Sequence, residues 1–395
     1  MSADHAAAAA TTPEPIRSNI PDSFPWGVLH QRHPALIARV RAEFPYPPHI
    51  QQALDDLQEE ITGTIQPLPR DAHDRADWER WGGADYVGQP WPDVPFLWAE
   101  SYFYRKLLAA VDYFTPGPWQ GIDLFQPQKS AELAEESVTA ELAELDELAG
   151  LSEEDRAVAL TTAAVWGNRA DLGFRLSDPE SSHRETADLI VNDIPALWQH
   201  LAAGAPGTVH LVADNTGHEL LADLVLVDHL LRTGRAEQVE LHLKSYPYYI
   251  SDATTADLLA CLHRLTTAGG EAAAVGRRLR TALTGGRLQL AAHRFWTTPL
   301  TFHDLPPELA TRFAHARLVI VKGDLNYRRL VGDLHWPATT SFAAATSYFP
   351  GPVVALRTLK SDVVVGLNPD TLARLDSSGE QWRISGTHGM VQLRT

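Results

Sequence analysis

The sequence is poor in cysteine and has no long apolar run. Cys261 is the only cysteine among 395 residues, which excludes a disulfide framework and a cluster of thiolate metal ligands. No apolar stretch approaches the roughly 18 residues that a membrane-spanning helix needs. The first residues, MSADHAAAAATTPEP, lack the basic and apolar segments of a secretion signal and are typical of a disordered tail. We therefore expect no membrane partner and a reducing, cytoplasmic location.

Positive charge is also scarce, with 33 Lys and Arg against 50 Asp and Glu and a formal net charge of −17. Nucleic acid is not an expected partner, because a phosphate backbone needs a basic surface. A small anionic substrate remains compatible, because a local pocket can oppose the overall charge. Common catalytic motifs are missing: there is no Walker loop, no GxGxxG and no GxSxG. His218 and Glu219 begin like a zinc-protease helix, but Ala222 stands where its second histidine would be.

The pattern of apolar residues changes along the chain. Residues 19–200 carry helical spacing between Pro- and Gly-rich loops, and they follow a predicted tail at 1–18. From about residue 207, four apolar runs alternate with helical stretches at 219–231 and 256–268. The runs are GTVHLVADN, QVELHLKSYPYYISD, ARLVIVKGD and PVVALRTLKSDVVVGL. This alternation predicts a doubly wound α/β domain with a parallel sheet over residues 201–395.

Polar residues follow each of these four predicted strands. Asp214 and Asn215 end the first, Asp252 follows the second, the third passes into KGDLNYRR, and the fourth carries Arg357 and Lys360. The carboxyl ends of parallel strands meet at one edge of a sheet, where ligands bind. Asp and Asn oxygens suit a hard divalent ion, and Arg and Lys suit phosphate. The sequence therefore predicts one anion-binding site that holds a metal ion.

Each of these residues also has a purely structural interpretation. Asp214 and Asn215 could cap the helix that follows them, and Asp252 could cap the helix that starts near Thr255. The charged groups of KGDLNYRR could form a salt bridge in a surface turn, and those of the fourth run could lie on an exposed face. The coincidence at four strand ends is what favours a shared site.

Several segments resemble the metal-dependent damage-control phosphatase family. They are DNTGHELLADL, KSYPYYISD, VKGDLNYRRLVGDLHWP and LRTLKSDVVVGL, and the resemblance runs from roughly residue 20 to 390. The Arg-Thr-x-Lys element at 357–360, with WAESYFYRK and WGNRADLGF, is similar to the acidic residue methyltransferase-like branch. The resemblance implies a helical N-terminal lobe packed on a three-layer α/β/α domain with a mainly parallel, Rossmann-like sheet.

The resemblance also implies an activity, the hydrolysis of phosphate monoesters with Mn²⁺, Co²⁺, Ni²⁺ or Mg²⁺. Sugar phosphates such as fructose 1-phosphate are the substrates associated with this branch. By analogy, Asp214, Asn215 and Asp252 would hold the metal, and Asp214 and Asp324 would be catalytic. The residues placed around the substrate are Asp214, Asn215, Asp324, Leu325, Asn326, Tyr327, Arg328 and Lys360, with Glu100 and Asn168 bordering the site from the helical lobe.

In the implied mechanism the metal binds one phosphoryl oxygen, and Lys360 and Arg328 neutralise the others. Asp324 orients the sugar or contacts the metal shell. The attacking group is either a metal-activated water or a carboxylate, for which Asp214 is the candidate. One departure from the family pattern is His218, where the family often has Phe. Its side chain either adds a polar group near the metal or points at solvent.

Two other functions compete with phosphate release. The same branch is associated with S-adenosylmethionine-dependent carboxyl (glutamate) methyltransfer. The first strand of the α/β region is followed by DNTGHE, without the glycine-rich loop that usually holds that cofactor. The second rival is a sugar-phosphate sensor that binds ligand without turnover. Oligomeric state leaves no clear pattern in the sequence.

Overall fold

A seven-stranded sheet organises the C-terminal part of the chain, in a computed structural model that describes residues 13–167 and 189–395. The strand order is β1-β7-β6-β5-β2-β3-β4, and every neighbouring pair is parallel except β6 with β7. The strands are β1 (Leu189–Asn192), β2 (Thr208–Val212), β3 (Gln238–His242), β4 (Leu288–Ala291), β5 (Leu318–Lys322), β6 (Val353–Thr358) and β7 (Gly389–Arg394).

Helices of eight or more residues surround this sheet or form the N-terminal region. Those before the first strand are α1 (His33–Glu43), α2 (Pro48–Glu60), α3 (Phe96–Ala110), α4 (Gln126–Leu133), α5 (Glu136–Glu144) and α6 (Glu153–Trp166). Those that follow it are α7 (Ile194–Ala202), α8 (Gly217–Arg232), α9 (Thr255–Thr267), α10 (Gly270–Thr284), α11 (Pro307–Ala314), α12 (Gly323–Val331) and α13 (Pro369–Asp376).

The predicted mixed α/β fold with a mainly parallel sheet is confirmed. The four apolar runs form β2, β3, β5 and β6, and the two predicted helices are α8 and α9. Strands β4 and β7 were not expected, because β4 has only four residues and β7 follows an irregular segment. The sheet also takes β1 from residues that precede position 201, so the division into lobes at 200 and 201 stays a prediction.

Residues of one strand alternate between two apolar cores, which explains the uninterrupted apolar run of β5. Leu318 and Ile320 pack in the core shared with α8 and α9, whereas Val319 and Val321 pack in the core shared with α11 and α12. A strand covered on both faces has apolar residues at every position. These two cores make the three layers of the domain.

The N-terminal helices have an apolar core of their own. It is built around Leu54, Trp91 and Phe103, and Tyr249 from the segment after β3 packs against it. The SYPYYI stretch therefore connects the helical region to the edge of the sheet where β3 ends. Among the described residues, no helix is long and apolar enough to cross a membrane.

The chain is held in place from close to its first described residue. The Ile16 backbone N–H donates to the Asp333 carbonyl at 3.2 Å, and its carbonyl accepts from the Phe96 N–H at 2.8 Å. The Ile16 side chain is buried. Of the tail predicted at 1–18, residues 1–12 lie outside the described part of the chain.

Candidate active site

Four adjacent strands deliver polar residues to one edge of the sheet. Strands β3, β2, β5 and β6 are neighbours, and their carboxyl ends lead to Asp252, Asp214, Asp324 and Lys360 respectively. Strands β3 and β4 extend the sheet on one side of β2, whereas β5 and β6 extend it on the other side. In a doubly wound sheet, a crevice opens between the two strands where the strand order reverses, here β2 and β5. The candidate site lies at this position.

Asp214, Asn215 and Asp252 are held together by backbone contacts. Asn215 and Asp252 form an isolated antiparallel bridge, and the Ala253 N–H donates to the Asp214 carbonyl at 2.9 Å. The Asn215 side-chain nitrogen donates to Glu219 Oε2 at 3.0 Å and contacts Asp214 Oδ2 at 3.4 Å. This leaves the Asn215 amide oxygen as the atom that can face a cation.

The carboxyl groups of Asp214 and Asp252 are buried in surroundings that disfavour their ionised forms. Burial raises the pKa of Asp214 well above its usual range, and the nearby charges of Glu219 and Asp252 raise it further. Burial also raises the pKa of Asp252, although Lys244 opposes this. Asp214 Oδ1 has no hydrogen-bond partner among the residues that the structure describes. An Asp, Asn and Asp oxygen set with an orphaned buried oxygen fits a hard divalent cation.

Gly323 allows the start of α12 to approach this group. Its φ is +77°, a conformation that residues with a side chain avoid, and a Cβ at this position would overlap the Asp214 carboxylate. Strand β5 ends at Lys322 and the helix begins at the next residue, so there is no intervening loop. The helix N-terminus, which carries partial positive charge, therefore lies against the buried acid.

Asp324 is fixed from the β6 side of the crevice. Its Oδ1 accepts from the Lys360 backbone N–H at 3.1 Å and pairs with Arg357 Nη2 at 2.6 Å. The Arg357 guanidinium is buried, lies over the Tyr327 ring at 4.1 Å, and donates to the Val363 carbonyl. Arg357 therefore positions Asp324. Lys360 is partly exposed, and its charge lowers the pKa of Asp214.

Arg328 lies in two buried ion pairs. It contacts Glu100 Oε2 at 2.8 Å and Asp333 Oδ1 at 2.7 Å, and its guanidinium lies 4.5 Å from the centre of the Phe96 ring. Asp333 Oδ2 also accepts from the Leu97 N–H at 3.1 Å. These contacts join α3 of the helical region to α12. The role predicted for Arg328 at the phosphoryl oxygens stays a prediction.

Other residues predicted around the substrate brace the site from behind. Leu325, Asn326 and Tyr327 are all buried. Asn326 Nδ2 donates to the Ala213 carbonyl at 3.1 Å, and the Tyr327 hydroxyl donates to Gln392 Oε1 at 2.9 Å. Asn168, predicted to border the site, lies outside the described residues.

His218 does neither of the two things expected of it. Its side chain is buried, and Nδ1 lies 2.8 Å from Glu141 Oε2 on α5. Hydrogen bonding to Glu141 raises the pKa of His218. The imidazole therefore ties α8 to a helix of the N-terminal region.

Lys244 is the residue of this site to which sequence reasoning gave no role. It follows β3 by two positions and is buried, and its Nζ has no hydrogen-bond partner in the described parts of the chain. Its charge lowers the pKa of both Asp214 and Asp252, whereas burial lowers its own pKa. The signal was available, because Lys244 opens the segment KSYPYYISD just after an apolar strand.

Lys322, the lysine at the end of β5, differs from Lys244 because its ammonium group is fully paired. Its Nζ donates to the Ala164 carbonyl at 2.5 Å and pairs with Glu219 at 3.1 Å and Asp223 at 2.9 Å. Burial raises the pKa of Asp223 to about 7, and Lys322 opposes this shift. The charge of Lys322 is thus committed to carboxylates behind the crevice.

The chain is similar over most of its length to known proteins. A model of the damage-control phosphatase ARMT1-like domain matches residues 28–375. A damage-control phosphatase ARMT1 from Xenopus tropicalis is 32% identical over 335 residues, which cover 77% of this chain and 76% of that protein. The same-named protein from Rattus norvegicus is 33% identical over 337 residues, covering 78% and 76%. A solved DUF89 family protein from Pyrococcus horikoshii aligns over 89% of this chain and 94% of its own at 14% identity, with a TM-score of 0.46.

Proposed function

The chain belongs to the damage-control phosphatase ARMT1-like family, and from this premise we propose that its strand-end site hydrolyses sugar phosphates, with fructose 1-phosphate as the first candidate. Family membership makes the chain a phosphatase whose substrate is a small phosphorylated metabolite. We propose in addition the sugar that the substrate contains, the metal that is bound and the residues that take part in the reaction. We also retain the cytoplasm as its proposed location.

The observation that carries the proposal is the orphaned Asp214 Oδ1, buried beside Asn215 and Asp252. We assign these three residues to a divalent ion, with Mn²⁺, Co²⁺, Ni²⁺ and Mg²⁺ as candidates. Such an ion would supply positive charge to neutralise the phosphoryl oxygens and would make a nearby water more acidic.

The protein's own cations and acids would do the remaining work. Lys360 and Lys244 both lie close enough to shift the pKa of Asp214, so both can offset the charge of a phosphoryl group placed next to that residue. Asp324, held by Arg357, would accept hydrogen bonds from sugar hydroxyls. Asp214 itself is the candidate nucleophile. In that route a carboxylate oxygen of Asp214 would bond to phosphorus as the bond to the sugar oxygen breaks, and the departing alkoxide would take a proton from water. A second water would then hydrolyse the acyl phosphate, which releases phosphate and restores the Asp214 carboxyl group.

The deciding experiment uses protein stripped of metal and assayed for phosphate release. A panel of sugar phosphates and other phosphomonoesters is tested with each of the four metals restored singly. We expect release only with metal, fastest from a sugar phosphate. Asp214→Asn should abolish it in a folded protein. Asp376→Asn, which removes a half-exposed carboxylate of α13, is the matched control and should retain activity.

Three outcomes would contradict parts of the proposal. Metal-dependent phosphate release from every compound except the sugar phosphates would contradict the proposed substrate class but not the phosphatase activity. Full activity of Asp214→Asn at saturating metal would remove the site assignment. No release from folded protein with any metal would remove the activity at this site, and methyl transfer from S-adenosylmethionine would then be assayed.

A further inference from the structure

A second group of metal-ligand side chains lies on the same two strands, away from the crevice. His210 on β2 is the register partner of Glu240 on β3, and His242 is two residues further along β3. Because side chains alternate between faces, Glu240 and His242 lie on one face of the sheet, the face of His210. All three are buried, and the two imidazoles pack against Trp296 and Phe313.

The ligand atoms of this trio converge on one point. His210 Nδ1 lies 3.0 Å from His242 Nε2. The Glu240 carboxylate is 3.9 Å from His210 Nδ1 and 3.8 Å from His242 Nε2. The two carboxylate distances are too long for hydrogen bonds, so Glu240 does not bond to either ring. Ligand atoms of one tetrahedral metal at roughly 2.0–2.2 Å lie about 3.3–3.6 Å apart, which falls between these distances.

Without a cation, the Glu240 carboxylate is bonded to neither imidazole of the trio. The two imidazoles can bond to each other through His210 Nδ1 and His242 Nε2. His242 Nδ1 has no hydrogen-bond partner in the part of the chain that the structure describes, but it is the ring nitrogen that would not contact the ion. Glu240 Oε1, the oxygen nearer to His242, accepts from Arg312 Nη1 at 2.6 Å, whereas Oε2 is the oxygen nearer to His210. The Arg312 side chain is 55% exposed, so the carboxylate has a route to solvent.

We propose that His210, Glu240 and His242 form a second metal site, which takes Zn²⁺ or a similar borderline divalent ion. Two imidazoles and one carboxylate are a common zinc ligand set, whereas an all-oxygen set suits harder ions. Four residues of extended chain separate His210 from Asp214, about 13 Å. The two sites are therefore distinct.

The state of the imidazoles agrees with this geometry. Burial lowers the pKa of His210, and it lowers that of His242 further, with Arg312 and His293 adding to the effect. Neutral imidazole is the form that binds metal.

The position of the second site indicates a structural role. The Ala213 N–H donates to the His242 carbonyl at 3.0 Å, and Ala213 immediately precedes Asp214. An ion shared by β2 and β3 would hold together the two strands that carry Asp214 and lead to Asp252. The second site would thus brace the first, without contact with substrate.

The test measures metal binding in the absence of substrate, in a protein whose first site is disabled. Metal-stripped Asp252→Asn protein is titrated with Zn²⁺ against a chromogenic chelator, and with Co²⁺ by visible absorption. We expect one tight ion per chain and Co²⁺ bands of a low-coordinate site. Adding Glu240→Gln should weaken Zn²⁺ binding at least about tenfold and remove the bands. Adding Glu308→Gln, on α11 and outside the trio, should change neither.

A parallel His210→Gln variant and circular dichroism guard against a folding defect. Should both ligand variants fail to fold, X-ray absorption of Zn²⁺ bound to the Asp252→Asn protein decides. Two imidazole nitrogens in its shell support the site, and an all-oxygen shell overturns it. The absence of tight Zn²⁺ binding in Asp252→Asn, or unchanged binding in folded Glu240→Gln and His210→Gln, would also overturn it. These readouts are independent of phosphate release.

Discussion

The backbone of Gly323 lies against the Asp214 carboxylate so closely that a methyl group on Gly323 would overlap it. Gly323→Ala should therefore displace Asp214 and reduce phosphate release by at least about tenfold. A φ of +77° adds strain of about 1–3 kcal/mol for alanine. Turnover at saturating metal and urea unfolding measure the two effects separately.

Gly332→Ala is the matched control, at the other end of α12. Its φ is +92°, but the nearest atom that a Cβ would meet is Leu334 Cδ1 at 3.4 Å. Both variants should lose stability through backbone strain, Gly323→Ala the more because of its overlap with Asp214, and only Gly323→Ala should lose activity. Equal loss of activity in the two would mean that backbone strain, not contact with Asp214, is responsible.

Lys244→Met should be nearly neutral for stability and harmful for turnover. The Lys244 ammonium has no hydrogen-bond partner among the described residues, so removing it breaks no hydrogen bond, and the end of its unfavourable burial offsets the loss of its attraction to Asp214 and Asp252. We expect a change in unfolding free energy within about 1 kcal/mol and at least about a tenfold fall in kcat, because a cation next to Asp214 is lost.

Lys129→Met provides the comparison for Lys244. Its Nζ pairs with Asp123 at 2.9 Å and Asp257 at 3.0 Å, and the Lys129 side chain is buried in both ion pairs. Its loss should cost about 3–5 kcal/mol of stability. A Lys244→Met protein that is as destabilised as Lys129→Met, with unchanged kcat, would show that Lys244 serves the fold alone.

Arg328→Met should weaken the attachment of α3 to α12. It leaves the buried carboxylates of Glu100 and Asp333 without their cation, for which about 3–5 kcal/mol is typical. Arg383→Met removes a partly exposed pair with Asp376 and should change stability by less than about 1 kcal/mol. Urea unfolding of both variants checks this, and equal effects would contradict it.

The strand-end acids could be predicted from the sequence because their positions follow from topology. Asp214, Asp252 and Asp324 each end or follow an apolar run, and a parallel sheet brings such ends together. The neighbours that engage them could not be predicted in this way. Whether Lys244 or Lys322 meets Asp214 depends on side-chain packing across three strands, which residue spacing does not encode.

Side-chain directions in the stretch at 324–328 also could not be predicted from the sequence. Its residues are predicted to line the substrate pocket, and α12 turns their side chains in different directions as a helix must. Asp324 faces Lys360 and Arg357, Tyr327 enters the core, and Arg328 reaches the helical region at Glu100. A resemblance between short segments cannot separate these directions.

Asp223 makes stability depend on pH in a calculable direction. It is fully buried, and its pKa is raised from 3.8 to about 7. A folded-state pKa above the unfolded value means that this contribution to stability is complete below pH 3.8 and is lost as pH rises through about 7.

The Asp223→Asn variant tests this dependence. It keeps the shape of the side chain and an oxygen that can accept from Lys322, but it cannot ionise. The stability of wild type relative to Asp223→Asn should therefore fall between pH 4 and 7, by at most about 1.4 kcal/mol per pH unit. Urea unfolding of both proteins in chelator, at several pH values, measures this difference, and groups common to both proteins cancel from it. A difference that stays constant across this window would show that Asp223 is already ionised in the folded protein and that Lys322 outweighs its burial.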